Sequence, residues 1–310
     1  MKYIVTGGCG FLGSHLCRKL VNMGHFVYCL DNLYTGNINN IRDLKNKNKF
    51  KFINHDITEP IKIYCDGIFN LACPASPVSY QANPIKTIKT CFIGTLNMLE
   101  LAKKLNVKFF QASTSEIYGD PNIHPQKTDY WGNVNPIGIR SCYDEGKRSA
   151  ETLCMDFNRL YGLPIKIGRI FNTYGPNMAE NDGRVVSNFI TQCLNNNDIT
   201  IYGDGTQTRS FCYVSDLIEV IFRFFKSNNK LVGPLNLGNN REYSVKNTAL
   251  LIRKMTKSGS KIIYKELPKD DPVKRKPDLK LTKKYLNWMP EVSLKIGLSN
   301  TIEYFEGLKH

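Results

Sequence analysis

Residues 2–24, KYIVTGGCGFLGSHLCRKLVNMG, set a β-rich apolar run, a glycine-rich join and a helical apolar pattern in immediate succession. Gly7, Gly10 and Gly13 recur at three-residue intervals at the join. A strand that turns directly into a helix begins a parallel sheet, because parallel neighbours are joined only by crossovers. Further β-rich runs follow at FVYCL (26–30), KFIN (51–54), IFNLA (68–72), KFFQAS (108–113) and IKIGRI (165–170). Helical patterns lie between several of them. In IKTCFIGTLNMLELAKKLN, Ile88, Phe92, Ile93, Leu96 and Leu99 form an apolar stripe expected to face the core. The alternation predicts an α/β fold, a doubly wound parallel sheet covered by helices on both faces. SFCYVSDLIEVIFRFF (210–225) and PLNLG (234–238) predict a strand edge, a helix and a further strand returning to that sheet. We therefore expect interleaved domains, with 1–171 plus 208–236 around the sheet and 172–207 plus 237–310 in a smaller unit.

Composition narrows the class. The ten cysteines contain no C-x-x-C pair and there are only five histidines, so no metal site is expected. Scattered thiols suit a reducing compartment, and a cytoplasmic location is the expectation. No apolar run reaches the roughly 18 residues of a membrane span, and MKYIVTGG does not read as a secretory leader. The net charge of +15 comes from dispersed Lys in Asn/Lys tracts such as NINNIRDLKNKNKFK. No aromatic–basic module accompanies it, so no nucleic-acid partner is expected, and 37–49 reads as an exposed connection.

The glycine turn has a specific chemistry. Gly7 permits the tight turn, Gly10 lets a pyrophosphate approach the backbone, and Gly13 lets the helix pack closely on the sheet. The next strand ends in Asp31, placed for the hydroxyls of an adenosine ribose. A carboxylate there repels a 2′-phosphate, and Asn32 is no arginine, so NAD is favoured over NADP. Asp56, in NHDIT, suits either the adenine edge or a turn cap. In ASTSEIYGD, Thr114, Ser115 and Glu116 stand at the carboxyl end of a strand, where ligands of such sheets bind. Tyr143 and Lys147, four apart in CYDEGK, share a helix face. Ser141 and Asp144 read as a capping box for that helix. An ammonium beside a phenol lowers its pKa, which would let Tyr143 act as a base next to a nicotinamide. On the residues alone, Glu116 reads first as a turn residue and Arg275 as a solvated loop charge.

TGGCGFLG, YDEGK and RIFNTYGP together resemble the extended short-chain dehydrogenases that act on nucleotide sugars. LACPASPVSYQANPIKTIKT, ASTSEIYGDP, YWGNVNPIGIRSCYDEGKR, DGRVVSNF, YGDGTQTRSF and DDPVKRKPD narrow this to the UDP-glucuronic acid decarboxylase (UDP-xylose synthase) family, from Lys2 to about Pro290. Cys9 in place of an alanine and LNWMP in place of Leu-Gly-Trp are departures that touch no chemical group. The resemblance implies a Rossmann domain with bound NAD, a nucleotide-sugar domain, and conversion of UDP-glucuronic acid to UDP-xylose through a 4-keto intermediate, NAD being regenerated. It implies Tyr143, Lys147, Thr114, Ser115, Glu116 and Arg275 as the catalytic group. Glu116 would work beside the C5 carboxylate, with Arg275 as the counter-charge. Cofactor contacts would come from Gly7, Gly10, Phe11, Leu12, Gly13, Asp31, Asn32, Leu33, Tyr34, Thr35 and Gly36. Asp56, Ile57, Leu71, Ala72, Cys73, Thr90, Ala112, Tyr143, Lys147 and Thr173 would complete them. Tyr80, Lys89, Asn172, Arg184, Tyr202, Gln207, Arg209 and Arg275 would hold the nucleotide sugar. A homodimer through the helices around 90–105 and 145–160 is the family expectation. The family members that carry a membrane anchor differ from this chain, where none is expected. A 4,6-dehydratase would need an acid where Ser115 stands, and a 4-epimerase has no use for Glu116 and Arg275 around a carboxylate. An NAD-binding scaffold without activity has no reason to keep Tyr143 and Lys147.

Overall fold

The fold was analysed in a computed structural model that describes residues 1–267 and 274–309. The part of DDPVKRKPD before Lys274 lies outside the described residues. In the first half, strands and helices follow one another as β1 (Lys2–Thr6), α1 (Phe11–Asn22), β2 (Phe26–Asp31), β3 (Phe50–Asn54) and β4 (Gly67–Asn70). Next come α2 (Pro77–Ala82), α3 (Pro84–Lys89), α4 (Thr95–Leu105), β5 (Lys108–Thr114), α5 (Ser141–Tyr161) and β6 (Ile165–Ile170). Beyond it lie β7 (Thr173–Tyr174), α6 (Val185–Leu194), β8 (Ile199–Tyr202), β9 (Thr208–Ser210), β10 (Cys212–Tyr213), α7 (Val214–Lys226) and β11 (Leu235–Leu237). The chain closes with β12 (Glu242–Ser244), α8 (Val245–Met255), β13 (Ile262–Lys265), β14 (Lys274–Arg275), α9 (Lys280–Leu286) and α10 (Leu294–Gly307).

The central sheet has seven strands in the order β11-β6-β5-β4-β1-β2-β3. Every pairing in it is parallel. The order reverses between β1 and β4, which opens a crevice at the carboxyl ends of those strands. Buried on both faces, β1 and β4 carry mostly apolar residues, and β5 is buried from Phe109 to Thr114 even where it carries Gln111, Ser113 and Thr114. One core cluster runs from Val5 and Val27 through Phe110, Ile190 and Leu217 to Phe305, so sheet and C-terminal elements share their packing. Outside the main sheet, β12-β9-β14, β8–β13 and β7–β10 form small sheets over the crevice.

Three local expectations differ from the structure. The stretch 84–105 is not one regular helix: a π-helical turn at Thr90–Gly94 joins α3 to α4. The extra residue in that turn shifts the inward face to Thr87, Thr90, Cys91, Met98 and Leu99, and leaves Ile88, Phe92 and Ile93 exposed. The capping box is absent. Arg140 is the N-cap of α5 with no side-chain cap bond, and the Ser141 hydroxyl donates instead to the Gly138 carbonyl at 2.7 Å. Helical backbone at Arg140 (φ −94°, ψ −12°) replaces the extended conformation that a capping serine requires. Within 37–49, a short 3₁₀ turn carries Ile41 into the core, and Leu44 follows it there.

Candidate active site

A single cleft of 1650 Å³ runs along the carboxyl ends of the strands, from the glycine turn to β14. Small-molecule pockets usually occupy about 300–1,000 Å³, so this one has room for two ligands of nucleotide size. All of the residues expected to touch cofactor or substrate line it except Leu33 and Lys89.

At one end the turn between β1 and α1 closes on itself. Gly7 has φ +66°, and a Cβ there would stand 2.9 Å from the Ala72 Cα. A Cβ on Gly13 would meet the Gly7 carbonyl oxygen at 2.0 Å. This cradle of bare backbone before a helix start is what a pyrophosphate needs. Asp31 lies beside it, buried at the end of β2, with its carboxylate accepting from the Cys9 N–H at 2.9 Å and the Leu33 N–H at 2.8 Å. Burial raises its pKa and those backbone donors oppose the rise. Leu33 takes left-handed backbone (φ +57°) and contributes that N–H, while its side chain packs on the core. Asp56 both caps its own turn, through Thr58, and pairs with Lys86 at 2.9 Å and Asn32 at 2.8 Å. Its burial is outweighed by these bonds, which hold the carboxyl below the usual range. Lys86, stacked over the Tyr34 ring, therefore occupies the edge of the cleft. Lys89 points to solvent, because Thr87 and Thr90 take the inward face of the same helix. The residues at this end, a glycine cradle with a buried carboxylate beside it, fit a dinucleotide.

In the middle of the cleft β5 ends and a 3₁₀ turn (Ser115–Tyr118) begins, capped by the Thr114 hydroxyl, which accepts from the Glu116 N–H at 3.2 Å. Across from it α5 presents Tyr143 and Lys147, both buried. The Lys147 ammonium donates to the Ala112 carbonyl at 3.0 Å and lies 5.7 Å from the centre of the Tyr143 ring. Tyr143 stacks on Tyr80, with ring centres 5.0 Å apart and planes 6° from parallel. The expected lowering of the Tyr143 pKa is not seen in the protein alone. Burial, then the neighbouring Cys73, push it well above the usual phenol value, and a hydrogen bond with Thr114 opposes them only in part.

Glu116 carries the strongest electrostatics. Its carboxylate meets Arg140 at 2.5 Å and Arg275 at 3.3 Å. Burial alone would raise its pKa, but Arg275 and Arg140 bring it down to about 2. Arg275 is fully buried at β14 and also donates to the Ser115 carbonyl. Asp144 lies on the far side of this cluster, where burial and the charge of Glu116 push its carboxyl up to about 8. Arg140 was not among the expected site residues, although it sits three positions before Tyr143 on the same helix start. Behind the site, Glu151 takes a bidentate contact from Arg169 (3.0 and 2.8 Å) and a 2.5 Å bond from the Ser113 hydroxyl, anchoring β5 to α5 and β6. Nothing in the local sequence pattern marks that network.

At the far end, Arg184 pairs with Asp182 and lies 5.9 Å from the Phe11 ring. Tyr202 is half exposed, and Gln207 donates to its carbonyl at 2.5 Å. Arg209 and Asn172 complete the wall facing Arg275. Among the described residues, no three His, Cys, Asp or Glu side chains cluster to hold a metal ion, and no helix is long and apolar enough to cross a membrane.

Comparison with known proteins agrees with this architecture. Residues 3–238 match the NAD dependent epimerase/dehydratase family. The chain is 52% identical to UDP-glucuronic acid decarboxylase 1 of Arabidopsis thaliana over 305 residues, 98% of this chain and 70% of that protein. It is 50% identical to UDP-glucuronic acid decarboxylase 1 of Xenopus tropicalis over 304 residues, 98% of this chain and 72% of that one. Among solved structures, UDP-glucuronic acid 4-epimerase from Bacillus cereus, in complex with UDP-glucuronic acid and NAD, superposes with a TM-score of 0.87 at 27% identity, covering 99% of this chain and 100% of the other.

Proposed function

The chain belongs to the NAD dependent epimerase/dehydratase family, and within it we propose a UDP-glucuronic acid decarboxylase that forms UDP-xylose and carbon dioxide. The observation that carries this reading is the Glu116 carboxylate set between Arg140 and Arg275, beside the Tyr143 phenol. A substrate bearing its own carboxylate needs cations already in place, and these two arginines are such cations. Glu116 shares them, so the incoming carboxylate is bound without being held too firmly to leave.

NAD, when bound, supplies the hydride acceptor and donor at C4 of the sugar. The Gly7–Gly13 turn and Asp31 would hold it. Tyr143 takes the proton of the sugar 4-hydroxyl and later returns it, with Thr114 bonded to the phenol and Lys147 anchored behind it on Ala112. A ketone at C4 makes the substrate a β-keto acid. The bond between C5 and the carboxyl carbon then breaks, carbon dioxide leaves, and the electron pair remains as an enolate. Arg275 and Arg140 balance that charge until C5 takes a proton. Tyr80 stacks behind Tyr143 and keeps the ring from turning. Arg184, Arg209, Asn172, Tyr202 and Gln207 would receive the diphosphate and uridine.

We further propose that the protein works as a homodimer in the cytoplasm. The exposed Ile85, Ile88, Phe92 and Ile93 on one side of the α3–α4 stretch support the dimer, since they offer a second copy an apolar face.

Incubation of the protein with UDP-[4-²H]glucuronic acid in light water tests the reaction. The expected products are carbon dioxide and UDP-xylose with deuterium kept at C4; in heavy water the unlabelled substrate gains one deuterium at C5. UDP-galacturonic acid with its carboxylate intact would replace the reading with epimerisation. Stoichiometric NADH and a free 4-keto pentose nucleotide would replace it with oxidative decarboxylation. Arg275→Ala separates the role of that residue: UDP-glucuronate binding falls at least tenfold more than UDP-glucose binding, whereas equal losses would make Arg275 a structural tether.

A further inference from the structure

We propose that Cys73 and Cys91 form a redox-active dithiol that closes to a disulfide in the cofactor-free protein and is masked when NAD is bound. The masking half rests on the cofactor reading above. Cys73 follows β4 and lines the cleft between Ala72 and Pro74; Cys91 lies in the π-helical turn before α4. Their sulfurs are 3.2 Å apart, against 3.9 Å for the Cys9–Cys29 pair. Access separates the two pairs. Cys73 is the one cysteine of the ten that is not buried, whereas Cys9 and Cys29 are sealed beneath the glycine turn.

Reactivity points the same way. Burial disfavours the Cys73 thiolate, but the hydrogen bond from Cys91 and the Lys147 ammonium outweigh it and lower the pKa of this thiol. A partly exposed thiol whose pKa is lowered, with a second thiol in contact, is the arrangement of an attacking and a resolving cysteine. With hydrogen peroxide as oxidant, the Cys73 thiolate attacks one oxygen, the O–O bond breaks, and hydroxide leaves to become water. The Cys91 sulfur then attacks the resulting sulfenic acid. The S–S bond forms, the S–O bond breaks, and the hydroxide departs with the Cys91 proton as a second water. Two thiols lose two electrons and two protons, and one peroxide becomes two waters.

Closure reaches the cofactor through packing. Segment 71–73 has little slack against the glycine turn, because the Leu71 and Ala72 N–H groups donate to the Thr6 hydroxyl at 3.0 and 3.1 Å and a Cβ on Gly7 would stand only 2.9 Å from the Ala72 Cα. Drawing Cys73 toward Cys91 therefore disturbs the cradle, and by linkage any weakening of NAD binding equals the bias of NAD toward the dithiol. A tenfold weaker affinity raises the potential of the pair by about 30 mV when NAD is saturating.

Peroxide treatment of the cofactor-free protein, followed by alkylation, unfolding and peptide mapping, tests the proposal. One reversible Cys73–Cys91 cross-link is expected, the other eight thiols stay reduced, and saturating NAD slows the cross-linking at least tenfold. In Cys91→Ala, or Cys91→Ser if the alanine variant folds poorly, the cross-link is absent and dimedone captures a sulfenic acid at Cys73. The reduced variant keeps the turnover of the parent protein. A cross-link from Cys73 to Cys142, or no loss of thiol at Cys73, would overturn the pairing. An oxidation rate that is the same with and without NAD would overturn the masking.

Discussion

At the scale of single residues, charge and burial divide the work inside the cleft. Burial, and after it the neighbouring Cys73, raise the pKa of the Tyr143 phenol in the protein alone. Tyr143→Phe should keep NAD affinity and lose about 10²–10⁴-fold in turnover, the usual worth of a positioned acid–base group. Turnover within a few fold of the parent would remove Tyr143 from that role. Glu116, held at about pKa 2, stays ionised at every working pH. Asp144 behaves in the opposite sense. Its folded-state pKa, about 8, stands above the unfolded value of 3.8, so the folded protein keeps a proton that the unfolded chain loses. Stability therefore falls as pH rises from about 4 to about 8. Asp144→Asn should remove that fall, and its gain in Tm over the parent should widen between pH 5 and pH 8. Each kcal/mol of relief is worth about 2–4 °C. Parallel Tm curves would show that Asp144 does not titrate in this window.

At the scale of elements, the site depends on how strand ends and helix starts meet. The β1–α1 turn brings helix and sheet so close that Gly13 touches the Gly7 carbonyl. Gly13→Ala should cost about 1–3 kcal/mol by overpacking and weaken NAD binding along with it. Calorimetric titration with NAD checks this, and unaltered affinity would mean that the turn is not the phosphate cradle. The start of α5 illustrates a different constraint. Arg140 spends its position on Glu116 rather than on a helix cap, so the helix enters the site without a side-chain cap and relies on tertiary packing.

For the whole molecule, one cleft collects residues from β1 to β14, and a shared core joins the sheet to the later elements. That continuity supports the proposed interleaved division of 1–171 plus 208–236 and 172–207 plus 237–310, since β11 at Leu235–Leu237 completes the sheet after the chain has visited the smaller unit. The exposed face of Ile88, Phe92 and Ile93 belongs to this scale as well. Phe92→Asp should convert a dimer into monomers by light scattering, with the monomer's fold retained. A parent protein that is already monomeric at tens of micromolar would exclude this face as the subunit contact.

The sequence by itself determined what local periodicity encodes: the parallel sheet, the glycine turn with Asp31 after it, the strand end at Thr114–Glu116, and Tyr143 and Lys147 on one helix face. These are readable because a strand repeats every two residues, a helix every 3.6, and a tight turn selects glycine. The family resemblance extended that reading to Arg275, far along the chain. Tertiary structure alone decided the rest. A π-helical turn breaks the single apolar stripe of 84–105, leaving Ile88, Phe92 and Ile93 exposed while Leu99 stays buried, and in α3 it is Lys86 rather than Lys89 that reaches the cleft. Arg140 joined Glu116 because two distant segments converge, and Cys91 came to rest against Cys73 for the same reason. Burial of Tyr143 raised its pKa where the lysine four residues on had pointed to a lowering, because desolvation depends on everything packed around a group, which no spacing along the chain records.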